Sequence, residues 1–376
     1  MGSDEPRLII IRECTAAMKQ CRETAKKSYA ERVDDLDEEM LVIDGCFVLE
    51  ILYRNRLHQL DKSPHTRNSL QHDLLLLENQ LPFVVLERLF DLTISKIQSG
   101  HSLHDCVIWY CHENLELAPI AKAASDESTN NSFSHRILIH RDAANFKGVQ
   151  HILHLLHSYY CDDVYPKDKC ESFESDGKRL MPCASKLYCA GIKFVSGPRD
   201  HLFNIGINEI GCPTGWLRRP QFQIPIRCTE RTEAFLRNLI AFEQCCPDVR
   251  PYFSSYAFFM NALIDSAVDV DLLVDAGVMQ NSFETSEEAA SLYNDLTKEV
   301  AFDAKRFYFG NICKKAKKCH KRYWARVRSW PAFLILHLSR TYLATPWPFI
   351  GFILAFIAVS ITITNFVLSL TVRKPK

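Results

Sequence analysis

The sequence predicts a mainly α protein: one helical domain with a small β element near residues 192–227, plus one C-terminal transmembrane helix. Three observations carry this reading. Apolar residues recur at three- and four-residue spacing over most of the chain, as one face of a helix requires. Between Gly191 and Arg227 that period gives way to short β-prone runs separated by Gly and Pro. Between Arg340 and Arg373 lie 32 residues without a formal charge, more than the about 20 a helix needs to cross a bilayer.

Taken in order, Arg12 to Asn55 reads as helical, with Leu41, Ile43, Val48, Leu49, Leu52 and Tyr53 as apolar contacts. The acidic stretch Asp34 to Glu39 suits the positive end of a helix dipole. A polar turn is expected from Asp61 to Ser69, then a helix through Leu74–Leu77 that Pro82 bars from continuing. Pro82 also opens the next helix, which carries Phe83, Leu86, Leu89, Phe90, Ile94 and Ile97, and Glu78, Asn79 and Gln80 at the break read as caps for exposed backbone groups. Polar stretches at 114–134 and 162–178 read as loops, and Phe146 to Tyr160 between them as a helix. Ile192–Val195, Leu202–Ile205 and Gln221–Arg227 are the expected short strands. Thr229–Phe242 and a long Ser254–Val274 are expected helices, and Thr285 to Glu288 matches a capping box before another.

The span is placed at Trp347–Leu370, with Phe349 opening its densest apolar part. Twenty-two helical residues from there reach about 33 Å against a hydrocarbon core of about 30 Å. Four regions follow: a helical domain at 1–312, a basic juxtamembrane segment at 313–346, the span at 347–370 and a short basic tail at 371–376. More Lys and Arg precede the span than follow it, so the expectation is a single-pass, tail-anchored membrane protein with its N-terminal body in the cytosol.

Charge is segregated. Lys plus Arg and Asp plus Glu each total 45, yet the last carboxylate is Asp303 and fourteen Lys and Arg follow it. Eight of them, Lys314, Lys315, Lys317, Lys318, Lys321, Arg322, Arg326 and Arg328, cluster beside Tyr323 and Trp324. A contact with anionic lipid headgroups and a nuclear or nucleic-acid patch compete for these residues. The neighbouring span favours the membrane, so no nucleic-acid partner is expected. Fifteen cysteines, with no Cys-x-x-Cys and no N-terminal signal peptide, read as buried thiols of a reducing compartment.

The sequence contains no Gly-x-Ser-x-Gly, phosphate-binding Gly loop, dinucleotide fingerprint or His-Glu-x-x-His. His151, His154 and His157 fall on about a third of a helix surface, where a shared metal competes with a half-buried polar stripe, and the stripe is the favoured reading. Asp265, Asp269 and Asp271 read as solvated faces rather than a metal site, because Asp269 and Asp271 point apart on a helix. No cofactor, metal or catalytic residue is therefore assigned.

Several ordered segments carry a likeness: Val42-Ile-Asp-Gly-Cys-Phe-Val-Leu-Glu50, Asp73 to Phe83, Leu187 to Phe194, Arg237-Asn-Leu-Ile-Ala-Phe-Glu243, Ser255 to Val278 and Pro346-Trp-Pro. Together they resemble the plant family known as domain of unknown function 247. The resemblance implies a mainly helical plant protein with one C-terminal span and no accepted activity. It also implies a Pro-Tyr element ahead of the first helix, which is not found between Met1 and Arg12. The functional expectation is a non-enzymatic interaction or recognition protein with an unknown protein partner, and the alternative is a hydrolase or transferase with a family-specific site.

Overall fold

A computed structural model describes residues 5–115 apart from 30, 32, 34, 58, 60–63 and 98–99, then 148–161, 179–196, 202–210, 219–224, 230–327, 354 and 357–365. The chain forms two compact units, Met1–Lys317 and Lys318–Lys376. The first holds the described core.

Its opening layer is a helical hairpin, α1 (Glu5–Lys26) and α2 (Glu38–Arg56), where one helical region had been expected. The acidic stretch does start a helix. The Asp37 carboxylate caps α2 by accepting from Glu39 N at 3.0 Å, and Arg22 of α1 reaches across to Glu38 at 3.0 Å. The expected polar turn at 61–69 is overturned from Pro64 onward, where α3 (Pro64–Leu75) begins. Pro at the first helical position costs nothing, since its missing N–H is one of the orphans there.

The Gln80 break is built as capping predicts. After a 3₁₀ turn at Leu77–Asn79, the Gln80 amide donates to Leu74 O and Leu76 O and accepts from Leu153 N at 3.0 Å. Pro82 then precedes α4 (Phe83–Leu92), which continues into a single turn, α5 (Ile94–Ile97), and is followed by α6 (Leu103–Leu115). Helices α1, α2 and α4 pack mutually, and α2 also meets α6. Gly45 sets the closeness of α2 and α4, because a Cβ there would lie 2.4 Å from Leu89 Cδ1.

The second half centres on aromatic packing. It contains α7 (Ile152–Cys161), α8 (Ala184–Cys189), β1 (Lys193–Ser196), β2 (Gly206–Ile210), β3 (Arg219–Ile224), α9 (Glu230–Cys245), α10 (Tyr252–Leu263), α11 (Ala267–Asp275) and α12 (Ser286–Asp295). The small β element is real: a three-stranded sheet in the order β1-β3-β2, with β1 parallel and β2 antiparallel to β3. Register partners Phe194 and Phe222 stack at 5.7 Å, and Phe222 meets Phe259 of α10 edge-on at 6.0 Å. The second strand in chain order was expected at Leu202–Ile205 but begins at Gly206, because Leu202 and Phe203 form a turn whose side chains are buried.

The expected long helix at 254–274 is two. Helix α10 buries ten of its twelve residues, so it carries no polar face, and α11 restarts after Ile264–Ser266. Asp269 holds the break. Its fully buried carboxylate accepts from Asp265 N, Ser266 N and the Ser266 hydroxyl at 3.0–3.2 Å, and from Ser185 N in α8 at 2.7 Å. The solvated-face reading thus fails for Asp269, whereas exposed Asp265 pairs with Arg179 and exposed Asp271 accepts from the Ser286 hydroxyl. The Thr285 cap is confirmed by its bond from Glu288 N at 3.2 Å.

The last long helix, α13 (Gly310–Val327), overlaps the region expected to be a basic juxtamembrane segment. The transmembrane expectation is overturned: among the described residues no helix is long and apolar enough to cross a membrane. Helix α13 has the length but is dense in Lys and Arg. The single-pass, tail-anchored membrane localisation with a cytosolic body falls with that expectation, and Trp347, Phe349 and Leu370 lie outside the described residues.

The Gly45 contact is open to a direct test. Gly45→Val should lower stability by about 1–3 kcal/mol through overpacking, read as a reduced urea midpoint at unchanged slope. Shortening Leu89 to Ala in that background should make the valine cheaper than it is against Leu89, and a fully additive pair would show that the two helices do not meet there.

Candidate functional site

Two features carry concentrated chemistry: a buried carboxylate–imidazole network and the cationic face of α13. The first begins with Glu243 near the end of α9, whose side chain is wholly buried. Its Oε1 accepts from Phe253 N at 2.8 Å, and its Oε2 accepts from Ser254 N and the Ser254 hydroxyl at 2.7 Å each. Phe253 N and Ser254 N belong to the first turn of α10, so the carboxylate satisfies orphan donors and sits at the positive end of the helix dipole. The fourth contact is the His157 imidazole of α7, with Nε2 at 2.9 Å from Oε1.

Cys161 Sγ lies 3.8 Å from the same His157 Nε2. A carboxylate–imidazole–thiol relay needs the carboxylate on one ring nitrogen and the nucleophile on the other. Here one nitrogen faces both, so the arrangement cannot orient His157 with Glu243 while it takes a proton from Cys161. The network joins α7, α9 and α10 and is structural.

The histidine stripe has a packing explanation. The rings of His151, His154 and His157 lie 5.1, 5.4 and 5.6 Å from the ring of Phe242. His151 precedes α7, and its Nδ1 accepts from His154 N at 3.1 Å, the bond an N-cap side chain makes. Burial, with neighbouring His154, pushes the His151 pKa down to about 4, and burial with His157 lowers that of His154. Among the described residues no group of three or more metal-ligating side chains comes together.

A crevice of about 210 Å³ adjoins Glu243, lined also by Gln244, Ser254, Phe258, Phe302 and Arg306. Its polar walls are engaged with the protein itself. Gln244 donates to Ser254 Oγ and accepts from Ala301 N, and the Arg306 guanidinium donates to Pro247 O and Val249 O. The space is below the about 300 Å³ at which small-molecule pockets begin.

Helix α13 divides by face. Cys313, Ala316 and Cys319 are buried, and burial pushes the Cys313 thiol up to about 12. Lys314, Lys315, Lys318, Lys321 and Arg322 are exposed, and at 100° per residue they share an arc of about 120°. Lys317 flanks them half-buried. Of the other two predicted cations, Arg326 lies within the helix but its side chain is outside the described residues, as is Arg328 altogether. The described cysteines are free thiols, and Cys14, Cys106, Cys111, Cys183, Cys313 and Cys319 are buried as small apolar groups.

Sequence reasoning had no means of finding Glu243 and Asp269, since a buried acid looks like any other acid until its donors are known. The one signal was position: Glu243 follows buried Phe242 on the inward side of its helix.

The chain matches, over residues 5–361, the family DUF247, described as plant protein of unknown function. It is 26% identical over 364 residues to the UPF0481 protein At3g47200 of Arabidopsis thaliana, covering 89% of this chain and 68% of that one. It is 32% identical over 142 residues to the putative UPF0481 protein At3g02645 of the same plant, covering 35% of this chain and 25% of that one. No solved structure matches.

Two outcomes test the buried network. Glu243→Ala should cost about 3 kcal/mol or more by stranding His157 and the α10 donors, seen as a lower unfolding midpoint, whereas Cys161→Ala should change stability far less. Because folding holds His151 neutral, the unfolded chain binds more protons between pH 6.5 and about 4, so stability falls as pH falls through that window. His151→Asn keeps an N-cap acceptor and should flatten the decline in thermal midpoint, and a slope equal to wild type would show that His151 does not contribute.

Proposed function

Since this chain belongs to DUF247, a family of plant proteins of unknown function, we propose from its own surface that it is a non-enzymatic interaction protein that contacts anionic phospholipid headgroups through α13. The observation that carries this reading is the exposed arc of Lys314, Lys315, Lys318, Lys321 and Arg322. Its opposite side is fixed by buried Cys313 and Ala316, so the cations are presented by a helix that is already folded and placed. A cation near an anionic leaflet contributes about 1 kcal/mol, and a one-sided array suits a planar surface. Adsorption of this kind is peripheral and requires no spanning helix.

The non-enzymatic part of the proposal is supported by the use made of polar groups. Glu243, His157, Asp269 and Arg306 are spent on helix ends and loop carbonyls, which leaves them satisfied rather than poised for a substrate. The sequence also places Tyr323 and Trp324 within the same helix, side chains suited to a headgroup region.

Sedimentation with vesicles checks the proposal. The full chain should bind bilayers containing about a third phosphatidylserine and not pure phosphatidylcholine, with affinity falling as salt rises. Exchanging Lys314, Lys315, Lys318 and Lys321 for Gln should weaken binding at least about tenfold. Equal binding by that variant, or a preference for nucleic acid over vesicles, would sink the proposal.

A further inference from the structure

The α1–α2 hairpin carries one thiol on each arm at the same height. Arg22 of α1 meets Glu38 of α2 at 3.0 Å, and that contact aligns the two arms. Cys14 lies eight residues before Arg22, and Cys46 eight residues after Glu38. In antiparallel arms both steps run the same way for about 12 Å, at roughly 1.5 Å per residue, and so bring Cys14 level with Cys46. Cys14 sits on the inward side of α1 with Ala17 and Met18, whereas Cys46 is half-buried beside Gly45, where α2 meets α4. Burial raises the pKa of the Cys46 thiol, and the neighbouring group that raises it further is Cys14.

Helix axes packed about 8–10 Å apart leave facing Cα atoms about 3.5–5.5 Å apart, within the about 7 Å that a disulfide spans. Both residues are free thiols in the structure. We infer that Cys14 and Cys46 form a redox pair that closes into a disulfide under hydrogen peroxide and clamps α1 onto α2. The more accessible Cys46 reacts first: its sulfur takes one oxygen from the peroxide, giving a sulfenic acid and releasing one water. The Cys14 sulfur then displaces that hydroxyl as a second water, so two thiols and one peroxide become one disulfide and two waters. Burial holds both thiols above the ordinary range, so the dithiol is the resting form and closure needs added oxidant.

Peptide mapping of the full chain tests the pair. After treatment with hydrogen peroxide, alkylation in denaturant and trypsin digestion without reductant, peptide 13–19 should appear joined to peptide 33–54, and dithiothreitol should part them. Cys46→Ser should abolish the joined species, and Cys14→Ser should leave Cys46 as a sulfenic acid that dimedone traps. Amide hydrogen exchange in α1 should be slower in the oxidised chain than in the reduced one, because the clamp opposes opening of the hairpin. The inference is overturned if Cys14 and Cys46 are both still alkylated once exposed Cys189 and Cys245 have been oxidised, if dimedone labels no Cys46 in Cys14→Ser, or if exchange in α1 is unchanged by oxidation.

Discussion

A carboxylate with no access to water is stable only when donors replace the hydration it loses, and Glu243 meets that condition with four. Three come from the start of α10 and one from His157, so one side chain locks the end of α9 to the beginning of the central helix and to α7. The aromatic core is arranged around the result. Phe253, whose N–H binds Glu243, lies 5.0 Å from Phe203, 5.6 Å from His157 and 5.8 Å from Phe235. Helix α10 can be apolar on nearly every side because its polar end is closed by Glu243 and its exit by the Asp269 turn.

Asp269 performs the corresponding task downstream, with the same economy. It ends one connection and anchors another, since its donors belong both to the turn before α11 and to the first turn of α8. In both cases an acid is placed at a helix N-terminus, where the dipole lowers the cost of burying its charge. These residues resemble catalytic acids by burial alone. Their partners distinguish them, because a backbone N–H holds a carboxylate still and a reacting acid needs an open side.

Charge segregation has a structural counterpart. The acids that dominate the chain up to Asp303 include those that cap α2, α10 and α11, whereas the cations of α13 are held outward by a narrow strip of buried small residues. Cationic helices with a buried apolar strip need not cross a membrane. The long uncharged run near the C-terminus prompted the expectation of a span, yet among the described residues no helix is long and apolar enough to cross a membrane.

By itself the sequence determined the helical class, the β element, the acidic start of α2, the cap at Thr285 and the break at Gln80–Pro82. Each is a local matter of periodicity, proline geometry or a side chain bonding its own neighbours. It also placed the cations of α13, because net charge along a chain needs no fold to be read. Only the tertiary structure decided that residues 254–274 form two helices, that Leu202 and Phe203 turn inward, and that Glu243 and Asp269 are buried hubs. The reason is common to all three. Each depends in part on groups far away in the chain, such as Ser185 for Asp269 and His157 for Glu243, and a pattern of neighbours carries no information about groups that meet only after folding.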